Sequence, residues 1–161
     1  MMEIVPQPLT VDAFAPFGQV FATLDAPGRV DDLARLENRR AEAAVMLSTV
    51  HVPPASLPLT ATVLERHPHS SQTFVPMDVA RYLVIVAPHA AAGGPDLAGV
   101  RAFIAVAGQG ISYNADTWHH GMTVLDRPGH FAIFMWNDGS DGDTEFLTLP
   151  ESFVVADNAP S

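Results

Sequence analysis

The chain has 161 residues, 48% of them hydrophobic, which is enough for one domain with a substantial buried core and excludes intrinsic disorder as the governing state. Eight basic residues against 18 acidic ones give a formal charge of −10, which repels phosphate backbones and anionic lipid, so the expected partner is a small molecule, with no nucleic acid and no membrane. There is no cysteine and no lysine, so disulfides, thiolate ligands, Schiff bases and a phosphate-loop lysine are excluded.

The opening MMEIVPQPLTVDAF lacks the basic stretch and apolar run of a secretory leader, and no segment reaches the roughly 20 apolar residues of a membrane span, so the expectation is a cytoplasmic protein. Within that opening, Thr10 can cap a short helix over Val11 to Phe14 that Pro16 ends. Asp31 to Ala44 is rich in helix formers of mixed charge and reads as either a helix or a loop over a sheet.

The remainder is short apolar runs broken by Pro, Gly and Asp, the pattern of many short strands. Strands are expected at Val20 to Leu24, Val45 to Val52, Ala61 to Arg66, Gln72 to Pro76, Tyr82 to Ala87, Arg101 to Val106, Ile111 to Tyr113, His120 to Leu125, Phe131 to Trp136 and Glu145 to Thr148. Turns fall at Ala92 to Asp96, Gly108 to Gly110, Asp126 to Gly129 and Asn137 to Gly142. That is an all-β sandwich or barrel with one or two short helices, a single domain over 1–161 with a frayed tail from residue 156.

Four of the seven histidines lie in two clusters, Glu65-Arg66-His67-Pro68-His69 and Trp118-His119-His120. In an extended segment Glu65, His67 and His69 share one face, and three ionisable groups cannot enter a dry core without partners. Gln72 has the opposite parity and joins that face only if Pro68 to Ser71 bends the chain. His119 and His120 point to opposite faces of a strand, so one of them enters an interior site. His67 and His119 are expected to face one cavity. Tyr113 offers a phenol donor, and Arg101 a two-point anchor for a carboxylate in competition with a structural ion pair. Asp138 to Asp143 spaces its oxygens somewhat like a calcium loop, but Leu149 stands where the closing glutamate belongs, so it reads as a solvated turn.

Leu64 to Pro68, then Ser71 to Met77, Gly110 to Tyr113 and Thr117 to His120 resemble the ureidoglycolate lyase family, with supporting fragments at Leu57 to Thr60 and Arg101 to Ile104. The resemblance implies a cupin-type double-stranded β-helix, a jelly-roll barrel assembled as a homodimer, that splits ureidoglycolate into glyoxylate and urea in purine (allantoin) breakdown. It casts His67 and His119 as the base and acid in either order, Gln72 and Tyr113 as orienting donors, and Arg101 and His120 as substrate contacts. His67, His69, Gln72 and His119 also resemble the metal set of the cupin superfamily, with Gln72 in place of a glutamate, so a divalent metal is allowed but not required. The chain departs from the family at Asp31 to Ala44, which lacks Tyr and His, at Met135-Trp136, where an Asp-Arg pair is usual, and at Gly121, where a proline is usual.

Overall fold

In the computed structural model, which describes residues 1–157, short β-branched and aromatic runs separated by turn residues form thirteen strands, β1 to β13, and one short helix, α1. Two curled sheets result. One has the order β1 (Met2–Ile4), β13 (Glu145–Val155), β5 (Leu59–Arg66), β10 (Trp118–His119), β7 (Arg81–Ala87), β8 (Arg101–Ala105) and β2 (Gln7–Pro8), with β11 (Thr123–Leu125) also paired to β7. The other has the order β3 (Gly18–Ala22), β9 (Gln109–Tyr113), β6 (Gln72–Asp78), β12 (Gly129–Asn137) and β4 (Ala44–Val52). This all-β arrangement agrees with a cupin-type barrel.

The core between the sheets joins Tyr82, Val84, Val86 and Phe103 of the first to Phe74, Ile111 and Phe131 of the second, closed at one end by Phe14 and Phe17. The aromatic rings meet edge to face, with Phe74 and Phe131 at 5.7 Å and Tyr82 and Phe131 at 5.2 Å, the geometry their quadrupoles favour. A second apolar cluster lies on the other face of the larger sheet, where Leu64, Leu83, Ile85, Trp118 and Phe153 pack together.

The expected strands are present, and the differences have local causes. Of the strand expected from His120 to Leu125, only Thr123 to Leu125 forms, as β11; His120 to Met122 form no strand, and the unexpected two-residue β10 (Trp118–His119) precedes them, both strands pairing with β7. The parallel edge strands β1 and β2, three and two residues long, carry too little alternation to be seen in sequence. Helix α1 (Val11–Phe14) forms with Thr10 Oγ1 accepting the Ala13 N–H at 3.2 Å. Asp31 to Ala43 takes the loop alternative: Arg40 pairs with the distant Asp138 and Asp143, and the backbone of Glu37 and Arg39 bonds to the 69–71 turn, so tertiary contacts override helix propensity. Of the tail expected from residue 156, residues 158–161 lie outside the described residues; Ala156 is buried, and its N–H donates to the Ile4 carbonyl. No helix among the described residues is long and apolar enough to cross a membrane.

Two features of the register carry the site. On the larger sheet Glu65 pairs with His119, His119 with Val86 and Val86 with Arg101, so these four side chains share one face in a row. On the smaller sheet Gln72 pairs with Tyr113, which in turn pairs with Gly18. A Cβ at Gly18 would be driven into the Ser112 carbonyl, which is backbone and cannot step aside. Gly18→Ala is therefore expected to destabilise the fold by about 1–3 kcal/mol, read from the urea midpoint at constant slope. An unchanged midpoint would mean that β3 leaves β9 without cost.

Candidate functional site

β5 ends at Arg66, and residues 67–71 turn the chain into β6. This turn supplies the bend that Gln72 requires, and it places Glu65, His67, Gln72 and His119 around one point. His67 and His119 are 5% and 2% exposed, with ring centroids 5.4 Å apart, although they stand 52 positions apart in the chain. His119 Nε2 lies 3.4 Å from Glu65 Oε1.

Both imidazoles are held from behind. His119 Nδ1 is 2.8 Å from the Thr117 carbonyl, and His67 Nδ1 is 3.0 Å from the Asp143 carbonyl and 3.1 Å from Thr144 Oγ1. A carbonyl only accepts, so each Nδ1 carries a proton, and in the neutral form of each ring the lone pair lies on Nε2. Both Nε2 atoms and Gln72 Oε1 are buried without a hydrogen-bond partner. Lone pairs from two imidazoles and a carboxylate meeting in a desolvated space require a cation among them, either a proton or a metal ion.

Burial pushes the His67 pKa below its ordinary value, and the neighbouring His119 charge pushes it further down, against the opposing pull of the Asp143 carbonyl, Glu65 and Gln72. His67 is therefore neutral at pH 7. Burial acts to raise the Glu65 pKa, but the adjoining His119 imidazole, and the charge that His119, His67 and His120 carry once protonated, outweigh it and leave the carboxyl lowered and ionised.

Glu65, His67 and His119 place three potential ligand atoms within 4.8 Å of one another. Two imidazoles with Nδ1 anchored to backbone carbonyls, plus a carboxylate, form a donor set suited to a divalent transition ion. This differs from the set read in sequence: Glu65 takes the place of His69, which is half-buried in the turn and outside the cluster. Parity had put Glu65 on the right face, and only the pairing of β10 with β5 brings it to His119.

The remaining sequence candidates divide. Tyr113 stacks on His119 at 4.2 Å and 17°, and burial holds its phenol well above the usual pKa, so it fixes the ring plane and remains protonated. Gln72 heads β6 and donates only weakly, to Met135 Sδ at 3.7 Å. His120 is half-buried at the break between β10 and β11, with Nδ1 2.9 Å from the Gly121 carbonyl; burial lowers its pKa. Arg101 stands apart, exposed in the wall of a cavity of about 710 Å³ that it shares with Arg39, His89, Asn114 and Thr117. Arg101 and Arg35 are the two arginines that make no ion pair among the described residues.

Two segments read as loop or solvated turn buttress the site. Glu37 to Arg39 lies along the 69–71 turn through backbone bonds from Arg39 N to His69 O and from Ser71 N to Glu37 O. Arg40 spans Asp138 at 2.9 Å and Asp143 at 2.6 Å, fixing the turn whose carbonyl holds His67. From the other side the Asp116 N–H donates to the His67 carbonyl, and Arg66 holds the Asp116 carboxylate at 2.9 Å. Asp138 to Gly142 is exposed, as expected of a solvated turn, and the Arg40 guanidinium, 98 and 103 positions away, ties Asp138 and Asp143 down.

Comparison with known proteins places this geometry in context. A family model described as ureidoglycolate lyase matches residues 1–156. The chain is 37% identical over 164 residues to a ureidoglycolate lyase of Chelativorans sp., covering 96% of this chain and 97% of that protein. It is 39% identical to one of Mesorhizobium japonicum, covering 88% and 90%, and 36% identical to one of Burkholderia mallei, covering 95% and 93%.

The lowered pKa of His67 fixes a pH dependence. The unfolded chain takes up a proton at His67 near pH 6.5 while the folded chain does not, so stability is full above that pH and falls as the pH drops through the depressed folded value. In chelator-treated protein, urea midpoints between pH 7.5 and 5 should fall, and His67→Asn should flatten the fall. An equal slope in both proteins would contradict a neutral, buried His67.

Proposed function

Because the chain belongs to the ureidoglycolate lyase family, we propose that it is a lyase that splits ureidoglycolate into glyoxylate and urea, in the breakdown of purine nitrogen in the cytoplasm. The observation that supports this most is the meeting of the buried His67 and His119 with the half-buried Glu65 in one cluster. The reaction moves one proton and breaks one bond. A base takes the proton of the substrate hydroxyl, the carbon–nitrogen bond breaks as the aldehyde carbonyl forms, and the departing ureido nitrogen takes up a proton.

His67, neutral with its Nε2 lone pair free, suits the base. His119, whose Nε2 faces the Glu65 carboxylate at 3.4 Å, takes the acid role, with Nε2 as the atom that delivers the proton to the departing nitrogen. Tyr113 holds the His119 ring plane through their stack. Gln72 and His120 orient the ureido and hydroxyl groups by hydrogen bonds. Arg101 anchors the carboxylate from the cavity wall: it lies in the same ladder row as His119, two strands away, which is about 10 Å between backbones. The departure at Met135 touches Gln72 and so bears on which substrate fits.

Glu65, His67 and His119 also fit a divalent cation, which when bound would supply Lewis-acid polarisation of the substrate oxygens. Metal analysis of the purified protein, with activity before and after chelation, separates proton chemistry by the histidines alone from a metal-assisted form.

His67→Ala and His119→Ala should each lower kcat for glyoxylate release by roughly 100-fold or more and leave the far-ultraviolet spectrum unchanged. Wild-type protein that releases no glyoxylate from ureidoglycolate would overturn the substrate, and variants at wild-type rates would overturn the site.

The assembly proposed is a homodimer. Edge strand β4 exposes Val45 and Leu47 at 60% and 63%, an uncharged stretch on a chain of net charge −10. Light scattering should give about twice the 17.2 kDa of one chain, and a value of one chain mass at micromolar concentration would refute the dimer.

A further inference from the structure

Two histidines that the site does not use form a second constellation. The pairing of β4 with β12 sets His51 opposite His130, and their rings stack at 4.3 Å and 15°. Both residues are exposed. The alternate residue Phe131 is fully buried in the core, so the pair stands on the outer face of the smaller sheet, away from Glu65, His67 and His119. Ring hydrogen bonds among the described residues are made by His67, His89, His119 and His120 and by neither member of this pair. Four imidazole nitrogens are therefore open to a ligand.

We propose that His51 and His130 form a surface site for a borderline divalent cation, with Cu(II) preferred. Neutral imidazole is the side chain best suited to such ions, and Cu(II) stands at the top of the affinity order for nitrogen and oxygen donors. Turning each ring out of the stack brings one nitrogen of each to a shared ion at about 2 Å, and water fills the remaining positions of a tetragonal shell. Asp78 is in register with His130 on the third strand, but Arg127 holds its carboxylate at 2.6 Å, so it serves as a nearby charge and is not counted as a ligand.

The site has a structural consequence. β4 is the edge of its sheet, and within that sheet it is held by β12 alone. An ion bridging the two strands staples that edge and, because the unfolded chain does not hold the two rings together, raises the melting temperature.

The test uses the full chain, Cu(II) as the probe, and the variants His51→Gln, His130→Gln and their double. All three should fold with the metal-free melting temperature of the wild type, since both side chains are exposed. Equilibrium dialysis should show one fewer bound Cu(II) in the double variant, and each single variant should bind that ion at least about tenfold more weakly, the lower end of the loss seen when even an outer partner of a metal site is removed. The rise in melting temperature with Cu(II) should shrink accordingly. A double variant that keeps wild-type stoichiometry and the full rise overturns the proposal. So does a copper effect that disappears in His67→Asn instead, because the ion would then belong to the buried set. Neither readout depends on catalytic turnover, so the result stands apart from the lyase reading.

Discussion

The architecture of the site rests on two hydrogen bonds, from Nδ1 of His119 to the Thr117 carbonyl and from Nδ1 of His67 to the Asp143 carbonyl. Because a carbonyl cannot donate, these bonds choose the tautomer of both rings and turn both Nε2 lone pairs toward Glu65. In water such convergence would relax by rotation. Here burial at 5% and 2% exposure, the Tyr113 stack and the two backbone anchors prevent it. The pocket is therefore a preorganised receptor for positive charge, which is the common requirement of a proton-transfer pair and of a metal centre.

Preorganisation has to be maintained by groups outside the pocket, and the arginines do this. Arg40 clamps the 138–143 turn behind His67, while Arg66 clamps Asp116 and Glu145 on the other side. Arg66 also lies over the Trp118 ring at 4.7 Å, next to His119 in β10. Most of these pairs are partly exposed, so each contributes modestly to stability. Their effect is geometric: each guanidinium bridges two carboxylates and so ties together segments that lie far apart in the chain. With lysine absent, every such strut in the chain is an arginine.

The departures from the family pattern meet at the same place. Met135 touches Gln72, and Glu37 to Arg40, within the stretch that lacks Tyr and His, lies against the turn that carries His67.

Fold class was legible in the sequence because period-two alternation and turn chemistry are local properties, and the core positions follow from them. That His67 and His119 would come together was legible from their clustering with other polar residues in apolar strands. The parity of Glu65 with His67 was visible too, but not its contact with His119, which needs β10 to lie beside β5. Nor could composition choose loop over helix for Asp31 to Ala44, show that the solvated acidic turn would be tied to Arg40, or show that His51 would meet His130. Each of these depends on which strands become neighbours, and a one-residue change of register would send the same side chains to the opposite face. The sequence by itself determined the elements and the chemical groups available; the tertiary structure decided which groups meet, because pairing and register act between residues that the chain keeps far apart.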